Sequence, residues 1–193
     1  MNPLEWKELS RSTVYDGRIF TAETVVRESY DGKTASFTVL NAPDWVNIIA
    51  PVTGSDGVPL FLMVRQFRQG SGRLTVEFPA GTVEPGEEPI AAAAREFEEE
   101  TGWRADQYRL LGYCNPNPAF MNNNVYTFLA EGARPVSAQH LDEHEAIDLV
   151  FLPEEELLRT LGSGETDNGV MLIAAFWYLK DKKANRRSDS PER

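Results

Sequence analysis

Gly81 to Trp103 reads GTVEPGEEPIAAAAREFEEETGW, and its interpretation organises the rest of the chain. Pro85-Gly86 marks a turn. Pro89 suits the first turn of a helix, where its missing N–H is not needed. Ala91 to Ala94 are strong helix formers, and Gly102 is a natural helix stop. Residues three and four apart share a helix face, so Glu96, Glu99 and Glu100 converge over an arc of roughly 100°. Glu98 points elsewhere, toward solvent, while Ala94 and Phe97 fall on faces that can pack against a sheet. Arg95 is placed to pair with Glu99.

Like charges at this spacing repel, and they sit near a helix C-terminus, where the macrodipole disfavours anions. One reading is a solvated charged face. The other is a divalent cation that reverses both penalties, and carboxylate oxygens suit hard ions such as Mg²⁺, Mn²⁺ or Ca²⁺.

Working outward, the chain has 193 residues, 41% of them hydrophobic, which favours one domain with a sizeable core. FTAETVV and SFTVL flank Tyr30-Asp31-Gly32 and predict a hairpin. VNIIAPV and PLFLMVRQF flank Gly54 to Gly57 and predict a second, buried hairpin, followed by a short strand at LTVEF. After the helix, YRLLGY, NVYTFLA and IDLVFL read as strands. PEEELLRTL and GVMLIAAFWYLK read as helices, the latter apolar enough to be buried. The class is α/β or α+β, with a mixed sheet and interspersed helices. KDKKANRRSDSPER, with Ser188, Ser190 and Pro191, reads as a frayed basic tail. The expected organisation is an N-terminal strand extension over 1–44, a main domain over 45–182 and a tail over 183–193.

The net charge of -11 argues against nucleic acid as a partner. No run is long enough to cross a membrane, and MNPLEWKELS lacks an apolar signal core. The single cysteine, Cys114, allows no intrachain disulfide and fits a reducing cytoplasm. It reads as a half-buried strand residue before it reads as a nucleophile.

From Gly81 the pattern continues through Glu87, Arg95-Glu96-Phe97, Glu99-Glu100 and Gly102-Trp103. This resembles the full Nudix box, with aromatics at the two apolar slots. VRQFR and EFPAG before the box, and Pro118 fifteen residues after Trp103, are similar to the ADP-ribose pyrophosphatase branch. The resemblance covers roughly Trp45 to Leu179. It implies a Nudix fold, a mixed sheet sandwiched between helices, with antiparallel N-terminal strands that join a homodimer.

By the same resemblance, Glu96, Glu99 and Glu100 are metal ligands with the Ala80 carbonyl, and Glu99 is also counted as catalytic. Arg95 orients the glutamates, Glu87 braces the preceding loop, and Gly81 and Gly102 serve the backbone. An acidic residue on a late loop is implied as the base. In LDEHEAIDL, Glu143 is the first choice and Glu145 the second, with His144 between them a further possibility. Arg65, Arg68 and Glu77 are candidates for substrate contacts, with an exposed strand-end charge the alternative for each arginine. Trp45 could stack on a base or pack in the core. NPNPAFMNNN, carrying Phe120, occupies the expected specificity loop but lacks the glycine-rich version common in ADP-ribose hydrolases.

The expected activity is Mg²⁺- or Mn²⁺-dependent hydrolysis of a nucleoside diphosphate linked to a second group, ADP-ribose or a nucleotide sugar. A GDP-mannose or UDP-sugar pyrophosphatase uses the same chemistry. A nucleoside triphosphatase fits less well, because the box begins only at residue 81. RNA decapping wants a basic surface. A catalytically silent, nucleotide-sensing module is the alternative of another class, although such proteins usually lose box glutamates.

Overall fold

A computed structural model describes residues 2–188. They form two compact units, one running up to Asp44 and including Asn115–Asn124, the other holding the remainder.

In the first unit, β1 (Lys7–Asp16), β2 (Thr21–Glu28) and β3 (Thr34–Asn41) make an antiparallel sheet in the order β1-β2-β3. The expected hairpin is β2-β3. Its turn is closed by Ser29 N–H to the Lys33 carbonyl at 2.8 Å, with Gly32 at φ 79°. The sequence pattern missed β1 because every residue of it is exposed, which erases any alternation. Asn115–Asn124 is pinned to the end of β3. Leu40 N–H donates to the Phe120 carbonyl at 2.7 Å, and Asn122 Nδ2 to Asn41 Oδ1 at 2.7 Å. Asn124 N–H donates to Asp44 Oδ1, also at 2.7 Å.

The second unit contains β4 (Trp45–Thr53), β5 (Pro59–Arg68), β6 (Arg73–Glu77), β7 (Ala80–Thr82), α1 (Pro89–Thr101), β8 (Trp103–Arg104) and β9 (Gln107–Cys114). It continues with β10 (Val125–Glu131), β11 (Arg134–Pro135), β12 (Ile147–Pro153), α2 (Glu154–Thr160), a 3₁₀ turn (Gly164–Thr166) and α3 (Gly169–Ser188). Its main sheet runs β12-β5-β4-β10-β9, with β6 paired to β5 and β7 to β4. Only β4 and β10 pair in parallel, so the sheet is mixed, as expected. β8 and β11 form a separate small ladder. The very short β7, β8 and β11 carry no periodic signal in the sequence.

Both faces of the main sheet are covered. Val46, Ile48 and Ala50 pack with Ala92, Ala93 and Phe97 of α1. Ile49 packs on the opposite face with Leu157 of α2 and Met171, Ala174 and Ala175 of α3. That is why β4 reads as a continuous apolar run rather than an alternating one. Ala94 is half-buried. Two expectations about α3 need correction. It is not buried all round, since Leu172, Phe176 and Leu179 are exposed. α3 also runs to Ser188, so 183–188 is helical where a tail was expected. Residues 189–193, with Ser190 and Pro191, lie outside the described residues. No helix among the described residues is long and apolar enough to cross a membrane.

Candidate active site

α1 starts at Pro89 and ends at Gly102, whose φ of 71° lets its N–H turn back to the Glu98 carbonyl at 2.7 Å. The same helix face that seats Ala93 and Phe97 on the sheet carries Glu100 inward, and Glu100 is 5% exposed. β7 lies alongside. Ala80 N–H donates to Glu100 Oε2 at 3.0 Å, and Thr82 N–H to Glu96 Oε1 at 3.1 Å. Gly81, between them, permits this approach.

Arg95 is the hub. Its Nε and Nη2 hold both Glu87 oxygens at 3.0 Å, and Nη2 also donates to the Thr82 carbonyl at 2.9 Å. Nη1 donates to Glu96 at 2.9 Å and to Glu99 at 3.0 Å. Glu87 in turn accepts from Glu84 N–H at 3.0 Å and so closes the turn before the helix. Glu98 faces a second arginine rather than solvent alone: Arg104 pairs with it at 2.8 Å.

Burial pushes the Glu100 carboxyl up to about 8; Glu96 adds repulsion, and the Ala80 N–H only partly offsets both. Burial also raises Glu96, against the pull of Arg95. Burial thus disfavours the charged form of both carboxylates, and Arg95 offsets it directly only at Glu96. A divalent cation would add positive charge, and the donor set of Glu96, Glu99, Glu100 and the Ala80 carbonyl is all oxygen, which fits Mg²⁺ or Mn²⁺. Among the described residues the acidic groups are not closed around one point: Glu96 and Glu99 turn to Arg95, and Glu100 to Ala80.

A cavity of about 480 Å³ opens beside β7. Trp45, Arg68, Glu77 and Ala80, four of the residues singled out from the sequence, line it. Glu77 is 3% exposed and is held bidentately by Arg68 at 2.9 and 2.8 Å. Burial raises its pKa, but Arg68, Thr75 and Asn168 outweigh burial and hold it below the usual carboxylate value. Arg65 is not in the cavity wall; it pairs bidentately with Glu165 at 2.8 and 2.9 Å. Phe120 is 42% exposed and belongs to the other unit.

Glu143, His144 and Glu145 are all exposed. They differ in reach: the charge of Glu145 acts on both Glu100 and Arg68. Cys114 is half-buried, and burial pushes its thiol up, away from the nucleophilic thiolate. Sequence reasoning missed Thr75, Arg73, Asp167 and Asn168, which complete the cavity wall. Asp167 is 94 residues from its partner Arg73, and no local pattern connects them.

The NUDIX domain family matches residues 44–172. The chain is 31% identical over 185 residues to the ADP-ribose pyrophosphatase of Bacillus subtilis, covering 95% of this chain and 97% of the relative. It is also 31% identical to the methanol dehydrogenase activator of Bacillus methanolicus, over 93% of this chain and 95% of that protein. Among solved structures, an ADP compounds hydrolase superposes with a TM-score of 0.80 at 22% identity, covering 96% of this chain and 98% of that chain, a likeness of fold. With the glycine, arginine and glutamate framework of residues 81–102 assembled as described and the family matched across most of its length, the chain belongs to the Nudix family.

Proposed function

We propose that the protein hydrolyses the pyrophosphate bond of a nucleoside diphosphate linked to a second group, with ADP-ribose the leading substrate and AMP and ribose 5-phosphate the products. The observation that carries this reading is Glu100, a buried carboxylate whose charged form is disfavoured by burial and by Glu96 beside it. A bound Mg²⁺ or Mn²⁺ would neutralise phosphate charge and acidify a water molecule. Glu96, Glu99, Glu100 and the Ala80 carbonyl are the residues to hold it.

In this reading the chain's own groups divide the remaining work. Arg68 uses Nε and Nη2 on Glu77, which fixes its plane and leaves Nη1 for a phosphate oxygen. Trp45 offers an indole face to a base. Glu145, whose charge is felt at Glu100, takes the proton of the attacking water as the new P–O bond forms and the bridging P–O bond breaks. Arg65 lies outside the cavity wall, paired with Glu165, and takes no substrate contact in this reading. A homodimer joined through the N-terminal strands and a cytoplasmic location belong to the same proposal, the first supported by the exposed β1 and the second by the single cysteine.

The relative named as a methanol dehydrogenase activator supports a second reading, in which the chain modulates a partner enzyme and hydrolysis is incidental. One experiment tests the first. The purified protein is incubated with Mg²⁺ or Mn²⁺ and a panel of ADP-ribose, GDP-mannose, UDP-sugars, dinucleotides and nucleoside triphosphates in ¹⁸O-water. AMP plus ribose 5-phosphate with the label on one product is expected. Absence of turnover on every compound with either metal refutes the hydrolase.

A further inference from the structure

Arg68 and Arg73 are directly opposed partners at the end of the β5-β6 hairpin, and both line the cavity. Like charges opposite each other on an antiparallel ladder are unfavourable. Each is balanced by its own carboxylate from the same wall, Arg68 by Glu77 and Arg73 by Asp167. The two arginines therefore each stand beside a carboxylate, and the two pairs add no net charge to the wall.

β6 also sets a length. Arg73, Thr75 and Glu77 alternate onto the cavity face, while Val76 between them enters the core. At the rise of a strand, Arg73 lies about 13 Å from Glu77 along the chain. Glu77 is three residues from Ala80, which holds Glu100. A substrate whose diphosphate sits against Glu96, Glu99 and Glu100 thus reaches Arg73 only with its remote group.

The chemistry at that end is mixed donor and acceptor. Arg73 donates through Nη2 to Asp167 and through Nη1 to the Gly164 carbonyl at 3.3 Å, leaving Nε. Asp167 Oδ1 is enclosed and has no hydrogen-bond partner among the described residues, so this acceptor is left over in the wall. Ser71 and Asn168 stand in the same wall. Alternating donors and acceptors with no net charge match hydroxyl groups and reject a further phosphate.

We propose that Arg73 and Asp167 form the subsite for the hydroxyl-bearing sugar of the substrate and determine specificity for it. This rests on the hydrolase reading above.

The test compares ADP-ribose with the β-methyl ester of ADP, which keeps adenosine and the diphosphate but replaces the sugar with a methyl group. The readout is the ratio of kcat/KM for the two. Arg73→Met and Asp167→Asn are each expected to lower that ratio about 10- to 100-fold, mainly through the KM for ADP-ribose. Because the pair also ties β6 to the loop before α3, the exchanged double variant Arg73→Asp with Asp167→Arg is measured as well. It should regain the melting temperature of the parent but not the ratio. A ratio within twofold of the parent in the single variants, or one restored by the exchange, overturns the subsite. Failure of the parent to cleave either compound instead overturns the hydrolase reading.

Discussion

A Cβ built on Gly81 would fall 1.9 Å from Cδ of Glu96 and 2.2 Å from its Oε2. The glycine therefore serves the acidic helix by proximity: its bare Cα lets β7 slide against the Glu96 carboxylate, so that Thr82 N–H can reach it. The atoms in the way are the far end of a flexible side chain, and the fold can yield cheaply by moving them. The site cannot. Gly81→Ala should lower the melting temperature by only a few degrees, a cost of about 1–2 kcal/mol, yet reduce turnover at least 100-fold because Glu96 is swung away. A melting curve and a turnover assay on the same sample decide it. Parent-like activity would show that Glu96 is not needed where it stands.

Glu100 leads to a prediction of opposite sign for stability and activity. Its carboxylate is buried beside Glu96 with one backbone N–H for support. Glu100→Gln keeps the shape and the Ala80 contact through its amide oxygen but removes the charge. The cation-free variant should melt about 2–4 °C above the parent, the shift of about 1 kcal/mol in a chain of this size. Added Mg²⁺ should then raise the melting temperature of the parent and leave the variant unmoved, while turnover by the variant falls at least 100-fold. A lower melting temperature for the variant without metal would contradict this account of the site.

Glu77 behaves the other way with acid. Burial opposes its ionisation, but Arg68, Thr75 and Asn168 hold its folded-state pKa below the ordinary 4.5. Its contribution is therefore complete above pH 4.5 and disappears as pH falls through the depressed value. Replacing it with Gln should destabilise the protein by about 2 kcal/mol at pH 7, and the gap should close as acid carries the pH below 4.5 and through the depressed value. Urea titrations of both proteins across that range measure it. A gap that stays constant into acid would mean that the bond with Arg68 does not depend on charge.

The parts of the fold that were legible in the sequence are those whose surroundings impose a local pattern. β4 and β5 are covered on both faces and read as apolar runs, and α1 is announced by Pro89, four alanines and Gly102. β1 is exposed along its whole length, and β7 owes its pairing to β4, so neither leaves a trace in composition. In the site, Arg95 and Glu99 were readable because they are four apart on a helix. Arg104 escaped because it meets Glu98 across the helix end, six residues on. The pairing of Arg65 with Glu165 was not readable because the two lie 100 residues apart.

The exposed first strand carries its own expectation. All ten residues of β1 are exposed, including Leu9 at 48% and Val14 at 64%, and β1 is an edge of its sheet. A long edge strand with apolar side chains invites pairing with another chain. Light scattering at micromolar concentration should give twice the chain mass of 21.6 kDa. Replacing Leu9 and Val14 with lysine should shift the protein toward the single-chain mass, and a fully active monomer in the parent would refute the dimer.

The loop carboxylates give the last prediction, which ranks Glu145 above Glu143, the first choice from the sequence. Glu143 and Glu145 are both exposed and stand two residues apart on the same loop. Glu145 differs in that its charge raises Glu100 and supports Arg68, and its carboxylate accepts from Asp142 N–H at 3.2 Å within its own turn. A base must stand within reach of the water it deprotonates, and its removal typically lowers the rate 100- to 10,000-fold. Glu145→Gln should therefore fall into that range at saturating substrate and metal, while Glu143→Gln should lose less than about tenfold. Because hydroxide needs no side-chain base, raising the pH or adding a small external base should restore part of the rate lost in Glu145→Gln. If Glu143→Gln is the more damaged of the two, the loop moves on substrate binding and the ranking from charge proximity is wrong.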